Sequence, residues 1–148
     1  MEASYIKTPA EIASLRESGK RLGQVLKAVI AAAVPGKTTL ELDTLAEKLI
    51  REAGGTPIFK GYGAGSGRPF PASICASVNE EVVHGIPHAT KVVREGDLLK
   101  IDIGMRFQGM VTDMARTVRI GTVSAEAEQL AAVTEESLRL GIAELRPG

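Results

Sequence analysis

The feature that most constrains the fold is a pair of apolar segments joined by a turn, between residues 98 and 121. Apolar side chains recur along both arms, as in β-structure. Gln108-Gly109 in the middle has the composition of a tight turn. The sequence therefore predicts an antiparallel hairpin, whose apolar residues are Ile101, Ile103, Met105, Val111, Val118 and Ile120.

Two aspartates, Asp102 and Asp113, stand inside the apolar arms. A hairpin centred between Phe107 and Gln108 would place them directly opposite each other, with Cβ atoms about 5 Å apart. Pairing around Gln108-Gly109 would make them diagonal neighbours, about 7 Å apart. Like charges so placed repel, and burial adds a desolvation cost of roughly several kcal/mol per ion.

Three arrangements would make this pair tolerable. The carboxyl groups could share a proton, or they could bind a divalent cation or a pair of cations. Both could instead face solvent, next to Lys100 or Arg116. The apolar flanks disfavour solvent, but the spacing by itself leaves all three open.

The first part of the chain predicts two helices. Each begins with a threonine followed three residues later by a glutamate, which is the order of a capping box. Apolar residues then recur at helical spacing. The first helix starts at Thr8 and stops at Pro35-Gly36, and the second starts at Thr38 and stops at Gly54-Gly55.

After residue 55 the period becomes β-like. A glycine-rich loop covers residues 61–69, and short strands are predicted at Ala72–Val78 and Glu81–His84. A last helix begins at Ser124 and carries Leu130, Val133, Leu138 and Ile142 on one face. Neither a repeat nor a linker interrupts the sequence, so residues 1–148 are predicted to form one α+β unit.

Composition narrows the functional class. The chain has 148 residues, 44% of them hydrophobic, and its 18 basic and 18 acidic side chains cancel. This balance predicts a globular protein without an electrostatic signal for nucleic acid. The sequence shows no secretory signal or apolar run long enough for a bilayer. Its one cysteine predicts a reducing, cytoplasmic setting.

Two further side chains are chemical candidates. His84 closes the predicted strand Glu81–His84, where a neutral imidazole could donate a hydrogen bond or carry a proton, or could simply be satisfied by backbone. Cys75 lies within an apolar strand, where a thiol most often serves as packing.

Together these segments resemble a known family. The resemblance is based on three segments. The first runs from Ser73 to Pro87 and contains N-E-E-V-V-H-G-I-P; the others are Lys100-Ile-Asp-Ile-Gly104 and Thr112-Asp113. They are similar to type I methionine aminopeptidases, as is the opening Ile6–Ile12, and the match runs over essentially the whole chain. The resemblance implies the N-terminal αβ half of the pita-bread fold, with two helices, a curved antiparallel sheet and a further helix.

The resemblance also implies a reaction, the removal of the initiator methionine from nascent proteins. The partner would be the N-terminal methionine of a nascent peptide, and the ribosome is suggested as another. Asp102 would bind chiefly one of two divalent metals (Co, Mn, Fe or Zn), and Asp113 would bridge both. His84 would act as the catalytic residue that hydrogen-bonds the substrate near the scissile amide. The methionine pocket would be lined by Phe59, Tyr62, Phe70 and Cys75.

Two departures from the family pattern shape the expectations. The glycine-rich segment Gly61–Pro71 is longer than the family's usual one. The family's other ligands, one histidine and two glutamates, lie in a C-terminal half that follows the matched region. The metal site is therefore expected to be incomplete and the isolated chain inactive, with self-association or a separate half completing the fold.

Two alternatives to a methionine aminopeptidase remain open. A proline-specific aminopeptidase or prolidase would share the fold, although the H-G-I-P string and the pocket matches favour methionine. A non-catalytic scaffold, or a half-domain that needs a partner chain, is the other alternative. The presence of Asp102, Asp113 and His84 argues against a scaffold, because a scaffold has no need of a repelling pair.

Overall fold

The computed structural model describes residues 6–147. Helices α1 and α2 come first and are followed by strand β1 and a 3₁₀ turn. Strands β2, β3 and β4 then lead to helix α3. The bounds are α1 Pro9–Ala32, α2 Thr39–Glu52, β1 Thr56–Pro57, the 3₁₀ turn Ala64–Ser66, β2 Ile74–Val78, β3 Leu98–Phe107, β4 Met110–Arg119 and α3 Ala125–Ala143.

The starts of both N-terminal helices confirm the capping boxes. The Thr8 hydroxyl accepts the Glu11 N–H at 3.3 Å, and the Glu11 carboxylate accepts the Thr8 N–H at 2.8 Å. Thr38 and Glu41 repeat the exchange at 3.1 and 2.8 Å. Each box satisfies two backbone donors that the first helical turn leaves free.

The sheet is antiparallel and four-stranded, with β3 at its centre. β4 pairs with the whole length of β3, while β2 and the short β1 pair with different parts of its other edge. Helices α1 and α2 cover one face of this sheet and form the core with it. Ile101, Ile103 and Met105 point into that core and are fully buried.

The predicted strand Glu81–His84 is wrong. Residues 81–84 form no strand, and Val82 and Val83 are 78% and 64% exposed. The Glu81 N–H closes a turn on the Val78 carbonyl at 3.0 Å, after which the segment leaves the sheet. An apolar run makes a strand only where a neighbouring strand can pair with it and another layer can cover it, and these valines have no such cover.

Several boundaries differ from the predictions in smaller ways. β2 begins at Ile74 rather than at Ala72, and β1 was not predicted. The last helix is confirmed, with the Ser124 hydroxyl accepting the Ala127 N–H at 3.2 Å. Of its side chains only Ala131 is buried. None of the helices within residues 6–147 is long and apolar enough to cross a membrane.

Candidate metal centre

The turn at Gln108-Gly109 decides how the two aspartates face each other. Both turn residues have positive φ, 48° and 79°, as in the two-residue turns that match strand twist. With this turn, Gly104 pairs with Asp113 and Asp102 pairs with Ala115. The two aspartates are therefore diagonal neighbours, and the directly opposed arrangement is wrong.

Both aspartates lie on the face of the sheet that α1 and α2 leave uncovered. Side chains alternate along a strand, so Asp102 points away from the core that holds Ile101 and Ile103. Cys75 of β2 pairs with Asp102 and shares its face. We call this surface of β2, β3 and β4 the site face; Cys75, Lys100, Asp102, Arg106 and Asp113 lie on it.

The environment of Asp102 is unfavourable for an ionised carboxylate. Its Oδ1 atom is buried and, within residues 6–147, accepts no hydrogen bond. Burial raises the pKa of Asp102 to about 6, with further contributions from the charge of Asp113 and from hydrogen bonding between the two carboxyl groups. The charge of His84 and the Ile103 N–H act in the opposite direction.

The cationic side chains considered as caps do not reach the pair. Lys100 donates from Nζ to the Asn79 carbonyl at 2.5 Å, and Arg116 pairs with Glu135 at 3.7 Å. Asp113 is exposed, whereas Asp102 is not. The solvent-facing arrangement therefore fails for Asp102.

A buried carboxylate oxygen without a donor, next to a second carboxylate, fits a divalent cation. The cation would supply positive charge directly at the Oδ1 atom, which accepts no hydrogen bond within residues 6–147. In the described part of the chain, no three His, Cys, Asp or Glu side chains are grouped closely enough to hold a metal. Asp102 and Asp113 are thus the two candidate carboxylate ligands here, and two carboxylates would leave most coordination positions to other groups.

His84 lines the same cleft as this pair. The backbone at His84 is left-handed, with φ 57°, and the side chain is exposed. The histidine thus sits on a bend after the turn at Asn79-Glu80 rather than at a strand end. An exposed imidazole at this point is free to contact a bound molecule.

A cleft of about 710 Å³ brings all the predicted site residues together. Its lining includes Asp102, Asp113 and His84 together with the predicted pocket residues Phe59, Tyr62, Phe70 and Cys75. The segment around Tyr62 is fixed by two backbone bonds of 2.8 Å, from Gly61 N–H to Phe70 and from Phe70 N–H to Tyr62. Ile58, Arg106 and Val111, which were not predicted, complete the lining.

Gly104 explains how the cleft wall approaches the aspartates. A Cβ at this position would lie 2.6 Å from Ile58 and 3.2 Å from Phe59. Only glycine lets these side chains lie on β3, directly across the strand pair from Asp113. A glycine inside a predicted strand is the sequence signal for a close approach, although it does not identify Ile58 or Phe59 as the neighbour.

Cys75 forms a neutral part of the same wall. Burial raises the pKa of its thiol to about 11, and the charges of Asp102 and Asp113 add to the effect. The side chain is buried and uncharged at ordinary pH. It therefore contributes an apolar, polarisable surface.

Comparison with known proteins gives a consistent assignment. Residues 13–148 match the family model described as Metallopeptidase family M24. The methionine aminopeptidase of Clostridium acetobutylicum is 47% identical over 137 residues, which are 93% of this chain and 53% of that protein. Methionine aminopeptidase 1 of Mycobacterium tuberculosis is 42% identical over 142 residues, 96% of this chain and 52% of that protein.

Solved structures agree. The methionine aminopeptidase of Thermotoga maritima superposes with a TM-score of 0.90 at 38% identity, covering 97% of this chain and 55% of that one. The prolidase of Pyrococcus horikoshii, at 19% identity and a TM-score of 0.81, shares the fold.

The chain spans about half the length of the curated relatives it matches. The predicted resemblance and the predicted half of a pita-bread fold are both confirmed. Since the family match extends from residue 13 to residue 148, the chain belongs to metallopeptidase family M24.

Proposed function

We propose that residues 1–148 form the N-terminal part of the single catalytic domain of a methionine aminopeptidase, which removes the initiator methionine from nascent proteins. The observation that carries this proposal is the buried, unpartnered Oδ1 of Asp102 beside Asp113. The relatives named above, at 42% and 47% identity, support the choice of substrate.

In this proposal Asp102 and Asp113 hold two divalent ions, drawn from Mn, Fe, Co and Zn. Asp102, the more buried, would bind chiefly one ion, and the exposed Asp113 would bridge both. Divalent ions at such a site polarise a carbonyl oxygen and generate a nucleophilic water. The resemblance assigns the other ligands, one histidine and two glutamates, to the C-terminal half of the family's fold.

The chain's own residues would bind and orient the substrate. His84 would hydrogen-bond the substrate near the scissile amide, because it lines the same cleft as Asp102 and its ring is exposed. The methionine side chain would lie in the cleft between Phe59, Tyr62, Phe70 and Cys75. An apolar wall with an uncharged thiol suits a thioether better than a charged side chain.

Completion of the site requires a second polypeptide layer. Helix α3 exposes apolar side chains on more than one side, among them Leu130, Val133, Leu138 and Ile142. A helix with that pattern is usually covered in a finished fold. We expect the chain by itself to self-associate in light scattering, and a monodisperse monomer would contradict this expectation.

The substrate and setting follow from the activity. Nascent chains carry their initiator methionine in the cytoplasm, so the enzyme would act there, with the ribosome as the proposed neighbour. The uncharged, buried state of Cys75 is compatible with a reducing compartment.

Metal binding is the first test. Mn²⁺ titrated into the chain in a calorimeter should bind weakly, and Asp102→Asn or Asp113→Asn should remove the binding. Glu52→Gln is a matched control, because it also replaces one carboxylate by an amide, on a solvent-exposed position of α2. Equal binding by all four proteins, or no heat from the wild type, would contradict the metal centre.

Activity is the second test. We expect negligible cleavage of a Met-Ala peptide by the isolated chain, and robust cleavage would refute its incompleteness. A chimera that joins this chain to the remaining part of the Thermotoga maritima enzyme should cleave Met-Ala peptides. Loss of activity in the Asp113→Asn chimera would assign that activity to this site.

The same chimera separates the alternatives. Preferential cleavage of Ala-Pro peptides would favour the proline-specific group, whose members share the fold. A folded chimera that binds Mn²⁺ but cleaves neither peptide would favour a non-catalytic binding role.

A further inference from the structure

The bend that carries His84 is strained and tightly fitted. Left-handed backbone is uncommon for a residue other than glycine, and its cost is of a kind that concentrates at functional sites. The His84 side chain makes no hydrogen bond to any other group within residues 6–147. Its position is therefore set by the backbone on either side of it.

Gly85 holds the bend against β2. A Cβ on Gly85 would lie 2.6 Å from the Ala76 carbonyl oxygen and 2.7 Å from the Ser77 Cα. These atoms belong to backbone and cannot move aside cheaply. The Gly85 carbonyl accepts the Ala76 N–H at 2.8 Å, which fixes one side of the contact.

Ser77 fixes the other side. Its hydroxyl accepts the Gly85 N–H at 2.9 Å, and the side chain is buried. Ser77 pairs with Lys100 across β3, so it lies on the site face, two residues along β2 from Cys75. The Ser77 hydroxyl therefore joins β2, the strand that pairs with β3 at Asp102, to Gly85, which follows His84.

We propose that Ser77 is a positioning residue, whose hydroxyl, together with the close fit of Gly85, aims the His84 ring at the carboxylate pair. The inference rests on the proposed function for its catalytic meaning, and on geometry alone for the placement. Without the hydroxyl, the buried Gly85 N–H has no acceptor, and His84, at the end of the exposed segment 82–84, has less to hold it at positive φ.

Lys91 makes a separate set of contacts with the same segment, which can be compared with those of Ser77. Lys91 donates from Nζ to the Glu81 carboxylate at 2.6 Å and to the Ile86 carbonyl at 3.2 Å. It ties the flanks of the bend together but does not contact Gly85 or His84 in the described bonds. Loss of these Lys91 contacts should loosen Glu81 and Ile86, on either side of the bend, and leave the His84 ring in place.

NMR can read the placement without any enzymatic assay. The chain has only two histidines, so the His88 ring is an internal reference for the His84 ring. In the metal-free wild type, Cα and Cβ shifts of residue 84 should report positive φ. In Ser77→Ala that signature should be lost or averaged, while Ser77→Thr, which keeps a hydroxyl, should restore it.

Bound Mn²⁺ gives a second reading. In the wild type and in Lys91→Met, the ring signals of His84 should broaden more than those of His88. In Ser77→Ala, the broadening of the His84 ring signals should be several-fold less than in the wild type. Gly85→Ala, which keeps the hydroxyl but removes the close fit, should also weaken the broadening. Amide spectra would verify that each variant is folded.

Three results would overturn the proposal. The first is that the chemical shifts of residue 84 still report positive φ in folded Ser77→Ala. The second is that Ser77→Ala and Ser77→Thr lose this signature equally. The third is that Ser77→Ala and Lys91→Met lose the signature or the Mn²⁺ broadening equally. Absence of Mn²⁺ broadening in the wild type would count against the metal centre instead, and the metal-free shifts would still decide the role of Ser77.

Discussion

The two faces of strand β3 differ in what covers them. On the core side Ile101, Ile103 and Met105 are fully buried beneath α1 and α2. On the site face Asp102 and Arg106 line an open cleft. One strand therefore carries a completed hydrophobic interface on one side and an incomplete polar one on the other. The alternation of side chains lets one strand pack into the core with one face and present candidate ligands with the other.

Buried carboxylates show the same contrast. Between α2 and β2, one oxygen of Asp43 accepts the N–H groups of Ser73 and Ile74 at 2.8 and 2.9 Å. Oδ1 of Asp102 is also buried but has no donor in the described residues. The first carboxylate joins a helix to a strand. Oδ1 of Asp102 can be satisfied only by a group outside the described residues, and this is why we propose that the site face is the functional side.

The largest expected change in the free energy of unfolding concerns the core side of β3. Ile103→Ala should lower the free energy of unfolding by about 2–5 kcal/mol, because it leaves a cavity under α1 and α2. Arg106→Ala, three residues along on the site face, should change it by less than about 0.5 kcal/mol. Urea denaturation of both variants measures the difference. Similar losses would remove the proposed contrast between the faces.

Glycine substitutions sharpen the contrast within the backbone. Gly104→Ala forces Ile58 and Phe59 away from β3 and should cost about 1–3 kcal/mol. Gly19→Ala in α1, where nothing lies within 4 Å of the new Cβ, should instead stabilise by about 0.5–1 kcal/mol. Opposite signs in urea denaturation are expected. A neutral Gly104→Ala would show that the cleft wall does not need the close approach.

The site face predicts one substitution that stabilises. Asp102→Asn replaces a carboxylate whose Oδ1 is buried without a donor and which Asp113 repels, so the metal-free variant should gain about 1–2 kcal/mol of unfolding free energy. Denaturation in the presence of a chelator measures it. Asp43→Asn keeps an oxygen for both N–H groups and offers the matched comparison. A destabilised Asp102→Asn would mean that the favourable contacts of the carboxylate outweigh its burial and its repulsion by Asp113.

Much of this arrangement was predictable from the chain. The capping boxes at Thr8 and Thr38 placed the helices, because the side-chain and backbone partners are only three residues apart. The hairpin and its aspartates were predictable for the same reason. The diagonal pairing of Asp102 and Asp113 was one of two open alternatives, since it depends on which two residues take positive φ.

What the sequence did not predict depends on distant contacts. The apolar pair Val82-Val83 predicts a strand that ends at His84, yet no layer covers these two side chains. Gly104 carries no local sign that Ile58 will lie over it. In both cases the deciding neighbour comes from another part of the chain.

The smallest expected effect concerns a carboxylate with a full set of partners. Lys60, Arg51 and the Ser73 hydroxyl lower the pKa of Glu47 to about 2. A lowered pKa stabilises the fold above the unfolded value, roughly 4.3 for glutamate, and the contribution is lost as pH falls from there towards 2. Solvent screening reduces it to about 1 kcal/mol. Between pH 5 and pH 2.5 the wild type should therefore lose about that much more stability than Glu47→Gln in urea denaturation. Parallel pH profiles would show that these ion pairs contribute little to holding β2 against α2.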